Sequence, residues 1–172
     1  MINKEDLLKE KLALVEELGI HFESNDNMPP LPSRIVVYLI LNGAKGTTFE
    51  ELVDKLEASK SSISTNLQLL QSKDRINYFT KCGDRKRYFK LSPNYAMSRM
   101  EERILIWEKE KSTHLKLYNY KKKMLQLNNE YNENHVSLQF NKKYIEFITK
   151  MIQNLNELKQ NLQTIINQEE NE

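Results

Sequence analysis

Apolar positions recur along this chain at helical spacing almost from its start. Leu8, Leu12 and Val15 form one stripe, and Leu7, Leu14 and Leu18 widen it. The pattern predicts a helix whose apolar face is too broad to stand uncovered. Gly19 or the run Ser24-Asn25-Asp26-Asn27 is expected to end it. Met28-Pro29-Pro30-Leu31-Pro32 then breaks the chain, and Pro32 suits the first turn of a following helix. From Ser33 to Leu41 that helix is apolar on nearly every side, the mark of a buried central element, until Asn42-Gly43 closes it.

Two short helices follow. Thr48-Phe49-Glu50-Glu51 has the form of a capping box and opens a helix bearing Phe49, Leu52, Val53 and Leu56. After Glu57-Ala58-Ser59 comes a second stripe, Ile63, Leu67 and Leu70, with Ser59 placed as its N-cap. Between the apolar positions stand Lys60, Ser61, Ser62, Ser64, Thr65 and Gln68. Serine and threonine are mediocre helix formers, so a merely solvated helix favours Glu and Lys at such places. Small donors and acceptors suit a helix approached closely by a partner, and the DNA major groove admits a helix and displays donors and acceptors. A serine-rich surface helix without a partner remains the plain alternative. Short helix, tight turn and polar-faced second helix have the helix-turn-helix layout, with Ala58 where a glycine is usual.

The period then changes. Arg75 to Thr80 and Arg87 to Leu91 are rich in β-formers and flank a Gly83-Asp84 turn, which predicts a hairpin. Lys81, Arg85, Lys86 and Arg87 crowd its tip. Cations so placed repel one another unless an anion is near, so the hairpin reads as a wing reaching for phosphates. The chain's formal net charge is only +2, yet the segment from Lys60 to Lys90 holds eight basic residues against Asp74 and Asp84. The positive field is therefore local.

Beyond Ser92-Pro93 a long helical pattern runs from Tyr95 to about Tyr131 through Met97, Met100, Ile104, Trp107, Leu115, Tyr118 and Leu125, interrupted by Lys111 and Lys122. Asn128 to His135 reads as a break. Tyr144, Ile148, Met151, Leu155, Leu158, Leu162 and Ile165 then alternate steps of four and three, a coiled-coil seam broadened by Ile145, Ile152 and Ile166. Such a seam must pack on something, either the preceding helix of the same chain or a second copy, and both uses are compatible. A dimer has a functional rationale, since two recognition helices on a two-fold axis address half-sites one DNA turn apart.

Catalytic chemistry finds little support. His21, His114 and His135 are far apart, and no phosphate loop, nucleophile motif or paired-carboxylate spacing is present. Glu110 and His114 read as a surface pair, and Lys121-Lys122-Lys123 as a solvated face. One cysteine, Cys82, excludes an intrachain disulfide and fits a reducing cytoplasm. A charged start without an apolar run, and no stretch approaching about 18–20 apolar residues, argue against a signal peptide or a membrane span.

Ser59 to Leu67 together with Gly83 to Ser92 resemble the GbsR-like branch of the MarR-type winged helix-turn-helix transcriptional regulators, over about residues 28 to 93. The resemblance implies a homodimer joined through terminal helices, and often a small effector that alters operator affinity. It places recognition at Lys60, Ser61, Ser62, Ser64, Thr65 and Gln68 and wing contacts at Arg85 and Arg87.

The expected fold is mainly α with a small β-hairpin wing. Residues 1–27 form an N-terminal helix packing with the dimerisation region, 28–93 the winged module, and 94–172 a long-helix, coiled-coil dimerisation region. The expected function is sequence-specific binding of double-stranded DNA by a cytoplasmic homodimer, with no enzyme activity, cofactor, metal or membrane partner. Helix 59–71 would enter the major groove and wing 80–88 would hold the backbone. A winged-helix scaffold without sequence-specific DNA binding is the alternative.

Overall fold

The computed structural model describes residues 3–169, with side chains to Ile165. The element order is α1 (Lys4–Asp26), α2 (Pro30–Asn42), a 3-10 turn (Gly43–Lys45), β1 (Thr47–Thr48), α3 (Phe49–Lys55), α4 (Lys60–Ser72), β2 (Ile76–Thr80), β3 (Arg87–Leu91), α5 (Tyr95–Leu127) and α6 (Val136–Glu169). The chain divides into two compact units, Met1–Tyr95 and Ala96–Glu172.

In the first unit local chemistry sets the boundaries. Asn3 caps α1 by accepting from Glu5 N, and Asn27 ends it in the left-handed region at φ 48°. Gly19 therefore lies inside the helix. A Cβ there would stand 3.0 Å from Arg34 Cγ, so glycine allows α2 to approach closely. Arg34 then bonds Glu16 and Glu23 of α1, and the Glu16 bond is the main reason its pKa is raised. The N-terminal helix, expected with the dimerisation region, contributes Val15 and Phe22 to the core of this first unit.

α2 is the centre of that core, with Ile35, Val36 and Val37 fully buried. Thr48 caps α3 by accepting from Glu51 N at 3.2 Å, but the capping box is only half made. Glu51 turns inward instead, accepting from Tyr38 OH at 2.8 Å and Asn42 Nδ2 at 3.3 Å. Burial, then this bond, raises the Tyr38 pKa. The tight turn before α4 works without glycine because Glu57, not Ala58, takes the left-handed conformation at φ 48°. Ile63, Leu67 and Leu70 of α4 are all buried, as their spacing predicts.

The hairpin pairs Ile76 with Leu91, Tyr78 with Phe89 and Thr80 with Arg87. A third strand, β1, pairs Thr47 with Phe89 and Thr48 with Tyr88 in the order β1-β3-β2. Two threonines beside a capping position carry no strand signal of their own, and only the exposed edge of β3 recruits them. Helices α2, α3 and α4 with the three-stranded wing sheet make a winged helix-turn-helix, and α1 packs against α2.

The second unit is a helical hairpin. α5 stops at Leu127 rather than near Tyr131, and α6 begins at Val136. Facing side chains run antiparallel: Lys121 Nζ donates to Asn141 Oδ1 at 2.9 Å, and Tyr144 OH donates to Glu110 Oε1 at 2.5 Å. Near the far ends, Lys159 pairs with Glu101. The expected α5 seam needs correction, because Leu115 is 48% exposed while its neighbour His114 turns inward, its Nδ1 3.1 Å from Asn141 Nδ2. Glu110 and His114 are thus engaged by α6 rather than forming a surface pair, and Lys121 is half-buried rather than solvated.

The α6 seam also divides. Ile148 is 2% exposed within the single chain, alongside buried Leu138, Asn141 and Ile152, whereas Leu158 and Ile165 remain 46% and 51% exposed. The expected line through Tyr144, Ile148, Met151, Leu155, Leu158, Leu162 and Ile165 therefore zigzags between two parallel stripes, and Ile148 faces its own chain. Ile166 lies outside the residues whose side chains are described. Among the described residues, no helix is long and apolar enough to cross a membrane.

Candidate nucleic-acid interface

The N-terminus of α4 is organised by serines. Ser59 accepts from Ser62 N at 3.1 Å, and its hydroxyl lies 2.8 Å from that of Ser62 and 3.0 Å from that of Ser61. Ser62 is half-buried, so its hydroxyl belongs to the cap rather than to an outward surface. Asn66 is likewise turned back, donating to Ser62 O at 2.8 Å. The outward row is Ser61, Thr65 and Gln68, with Lys60 beside it at the first turn, and all four are exposed. Ser64 is half-buried on the side that faces the wing.

The wing turn is built by Asp84. Its carboxylate accepts from Lys86 N at 2.9 Å and from Tyr88 OH at 2.6 Å, while Asp84 N donates to Lys81 O. Gly83 takes φ +78°, with open space where a side chain would stand. The tyrosine bond, then the Lys86 amide, holds the Asp84 pKa below its ordinary value, and the same bond raises that of Tyr88. The wing's one carboxylate is thereby tied into the turn, while Arg85, Lys86 and Arg87 stay exposed.

Aromatic rings brace these cations. Lys81 Nζ sits 3.9 Å from the centre of the Tyr88 ring, and the Arg87 guanidinium 4.7 Å from that of Tyr78. Tyr88 stacks on Phe79 at 5.5 Å, and both press on Gly46, where a Cβ would lie 2.8 Å from Phe79 Cε1. The hairpin is thus anchored at its root, which limits how far the cationic tip can stray from α4.

Helix and wing enclose one cleft of about 410 Å³. Ser64, Gln68 and Gln71 line it from α4, Arg85, Lys86 and Arg87 from the wing, and Phe49 and Glu50 from α3, over a floor that includes Leu67 and Phe89. The structure therefore brings Ser64 and Gln68 together with the wing cations on one surface. Gln71 and Glu50 of the lining, and Tyr78 beneath Arg87, are residues that the helical stripe and charge count did not single out. The i+3 position of Gln71 relative to Gln68 was the available signal. Cys82 is exposed at the turn. No group of three or more potential metal ligands occurs among the described residues.

Comparison with known proteins gives one curated relative, the HTH-type transcriptional regulator MmpR5 of Mycobacterium tuberculosis, 34% identical over 93 residues. The matched region is 54% of this chain and spans 56% of that protein, just over half its length. Among solved structures, one described as a transcriptional regulator is 22% identical, with a TM-score of 0.46, covering 95% of this chain and 99% of that one. A MepR variant of S. aureus is 15% identical, with a TM-score of 0.41, covering 90% and 99%. No family model matches the chain.

Proposed function

We propose that this chain is a sequence-specific, DNA-binding transcriptional regulator of the MarR type, in keeping with the GbsR-like resemblance of its helix start and wing. The observation that carries the proposal is the shared cleft, which sets Gln68 and Ser64 beside Arg85, Lys86 and Arg87. α4 enters the major groove, where Ser61, Thr65 and Gln68 meet base edges. Lys60 and the wing residues Lys81, Arg85, Lys86 and Arg87 take phosphates, fixing register and orientation without reading sequence. The similarity to MmpR5 over the matched 93 residues supports this reading.

The working form is a cytoplasmic homodimer, because a two-fold axis presents two recognition helices to two half-sites. Apolar surface on the long helices supports it, with Leu105 70%, Leu127 78% and Phe140 64% exposed. A small effector, if bound, acts by shifting operator affinity rather than by chemistry.

Gel shifts with the chain's own upstream region against random duplex, over a range of salt, test the reading. A specific complex with a steep salt dependence is the expected result. Equal affinity for both duplexes would instead favour the scaffold alternative.

A further inference from the structure

The apolar arc of α6 is wide enough for two seams, and the structure separates them. Leu138, Asn141, Ile145, Ile148 and Ile152 form the inner one, buried or half-buried within the chain. Roughly 100° to 130° around the helix lies an outer stripe that also steps by four and three, through Phe140, Tyr144, Phe147, Met151, Asn154, Leu158, Asn161 and Ile165. Phe140 and Phe147 are 64% and 54% exposed. Their rings stack on Tyr144 at 5.8 Å and 6.2 Å, a preordered aromatic ladder at one end of the stripe.

We propose that this outer stripe pairs antiparallel with the same stripe of a second copy, about a two-fold axis between Met151 and Asn154. The inference rests on the homodimer reading above and specifies the surface and register it uses.

Three features of the stripe are self-complementary in that register. Bulky residues meet slim ones: Phe140 faces Ile165 of the other copy, Tyr144 faces Asn161, Phe147 faces Leu158, and Met151 faces Asn154. The whole stripe overlaps, with no apolar layer left over at either end. On the solvent flank, Lys150 comes beside Glu157 of the other copy, twice by symmetry. Both are exposed, and neither has an ion-pair partner within its chain among the described residues. A parallel pairing would set each aromatic ring against its own copy and aim Lys150 and Glu157 at Leu155 and Leu162. Charge and volume therefore favour the antiparallel arrangement.

Disulfide trapping tests the register in the full-length chain, with Cys82→Ser as background. Phe147→Cys combined with Leu158→Cys is expected to cross-link two copies on mild oxidation, while each single variant does not. Both positions are exposed in one chain, so neither change should disturb its fold. Lys150→Glu is expected to weaken the dimer about tenfold, and adding Glu157→Lys to restore it. Cross-linking by Leu158→Cys alone would overturn the proposal in favour of a parallel pair. A dimer by sedimentation that the double variant fails to trap would overturn it in favour of another face. A monomer at every concentration would sink both this inference and the homodimer reading, whereas DNA binding is read separately by the gel shift.

Discussion

The two units of this chain differ in how completely they bury themselves. The winged unit closes its core, with Ile35, Val36, Val37, Leu52 and Ile63 all at 0% exposure. The long-helix unit leaves Leu105, Leu127, Val136 and Phe140 at 70%, 78%, 83% and 64%. Four helices packed with a small sheet give each apolar stripe a neighbour, whereas a two-helix hairpin can cover only one side of each helix. The first unit buries its apolar stripes within one chain, whereas the second leaves apolar surface exposed, the surface on which the proposed pairing rests. The proposed functions divide the same way, with the cationic cleft on the closed unit and the pairing surface on the open one.

The contrast is broken most directly by paired truncations. Ile63→Ala should destabilise the winged unit by ~2–5 kcal/mol, the range for a buried large-to-small change. Leu105→Ala should change the stability of an isolated chain by less than about 0.5 kcal/mol. Equal costs in denaturant unfolding would show that exposure does not separate the units.

At the cleft, Arg85→Ala with Arg87→Ala should weaken DNA binding on every sequence. The salt slope should fall by about two units, one for each lost phosphate contact. Gel shifts at several salt concentrations measure it, and an unchanged slope would remove both arginines from the backbone. Gln68→Ala should cost ~1–3 kcal/mol on the preferred operator and leave random duplex unaffected. Equal loss on both would deny Gln68 a reading role.

The second unit should behave as an assembly. Trp107, the chain's one tryptophan, lies on α5, so its fluorescence reports that unit. Its unfolding should gain about 1.4 kcal/mol of apparent stability for each tenfold rise in protein concentration. Concentration independence would mean that the hairpin stands alone.

The smallest effect tests how the closed unit is tied together. The folded-state pKa of Tyr38 is raised above its ordinary value of 10.0, so the folded chain holds this proton more tightly than the unfolded one. The resulting stability is fully present below pH 10.0 and is lost as pH rises through the folded-state value. Tyr38→Phe should cost ~1 kcal/mol at neutral pH through its lost bond to Glu51. It should also flatten the alkaline decline in unfolding free energy, and an unaltered decline would assign that decline to other groups.

Residue order alone was enough to locate most helices and the hairpin and to identify several of their caps and turns. Ser59, Thr48 and Asn27 act within a few residues of themselves, and so do the Gly83-Asp84 turn and the alternation of the hairpin, so their outcomes are local. The cationic tip and the polar row of α4 were legible for the same reason. Which side of an element faces inward depended on packing partners distant in sequence. α6 carries enough apolar residues for either stripe, and its choice depends on α5 presenting Glu110, His114 and Lys121 to Tyr144 and Asn141. Thr47 and Thr48 become a strand only because β3 offers an edge, and Glu51 leaves its cap only because Tyr38 is near. Capping and turn energies are settled by neighbours in sequence, whereas burial is settled by neighbours in space.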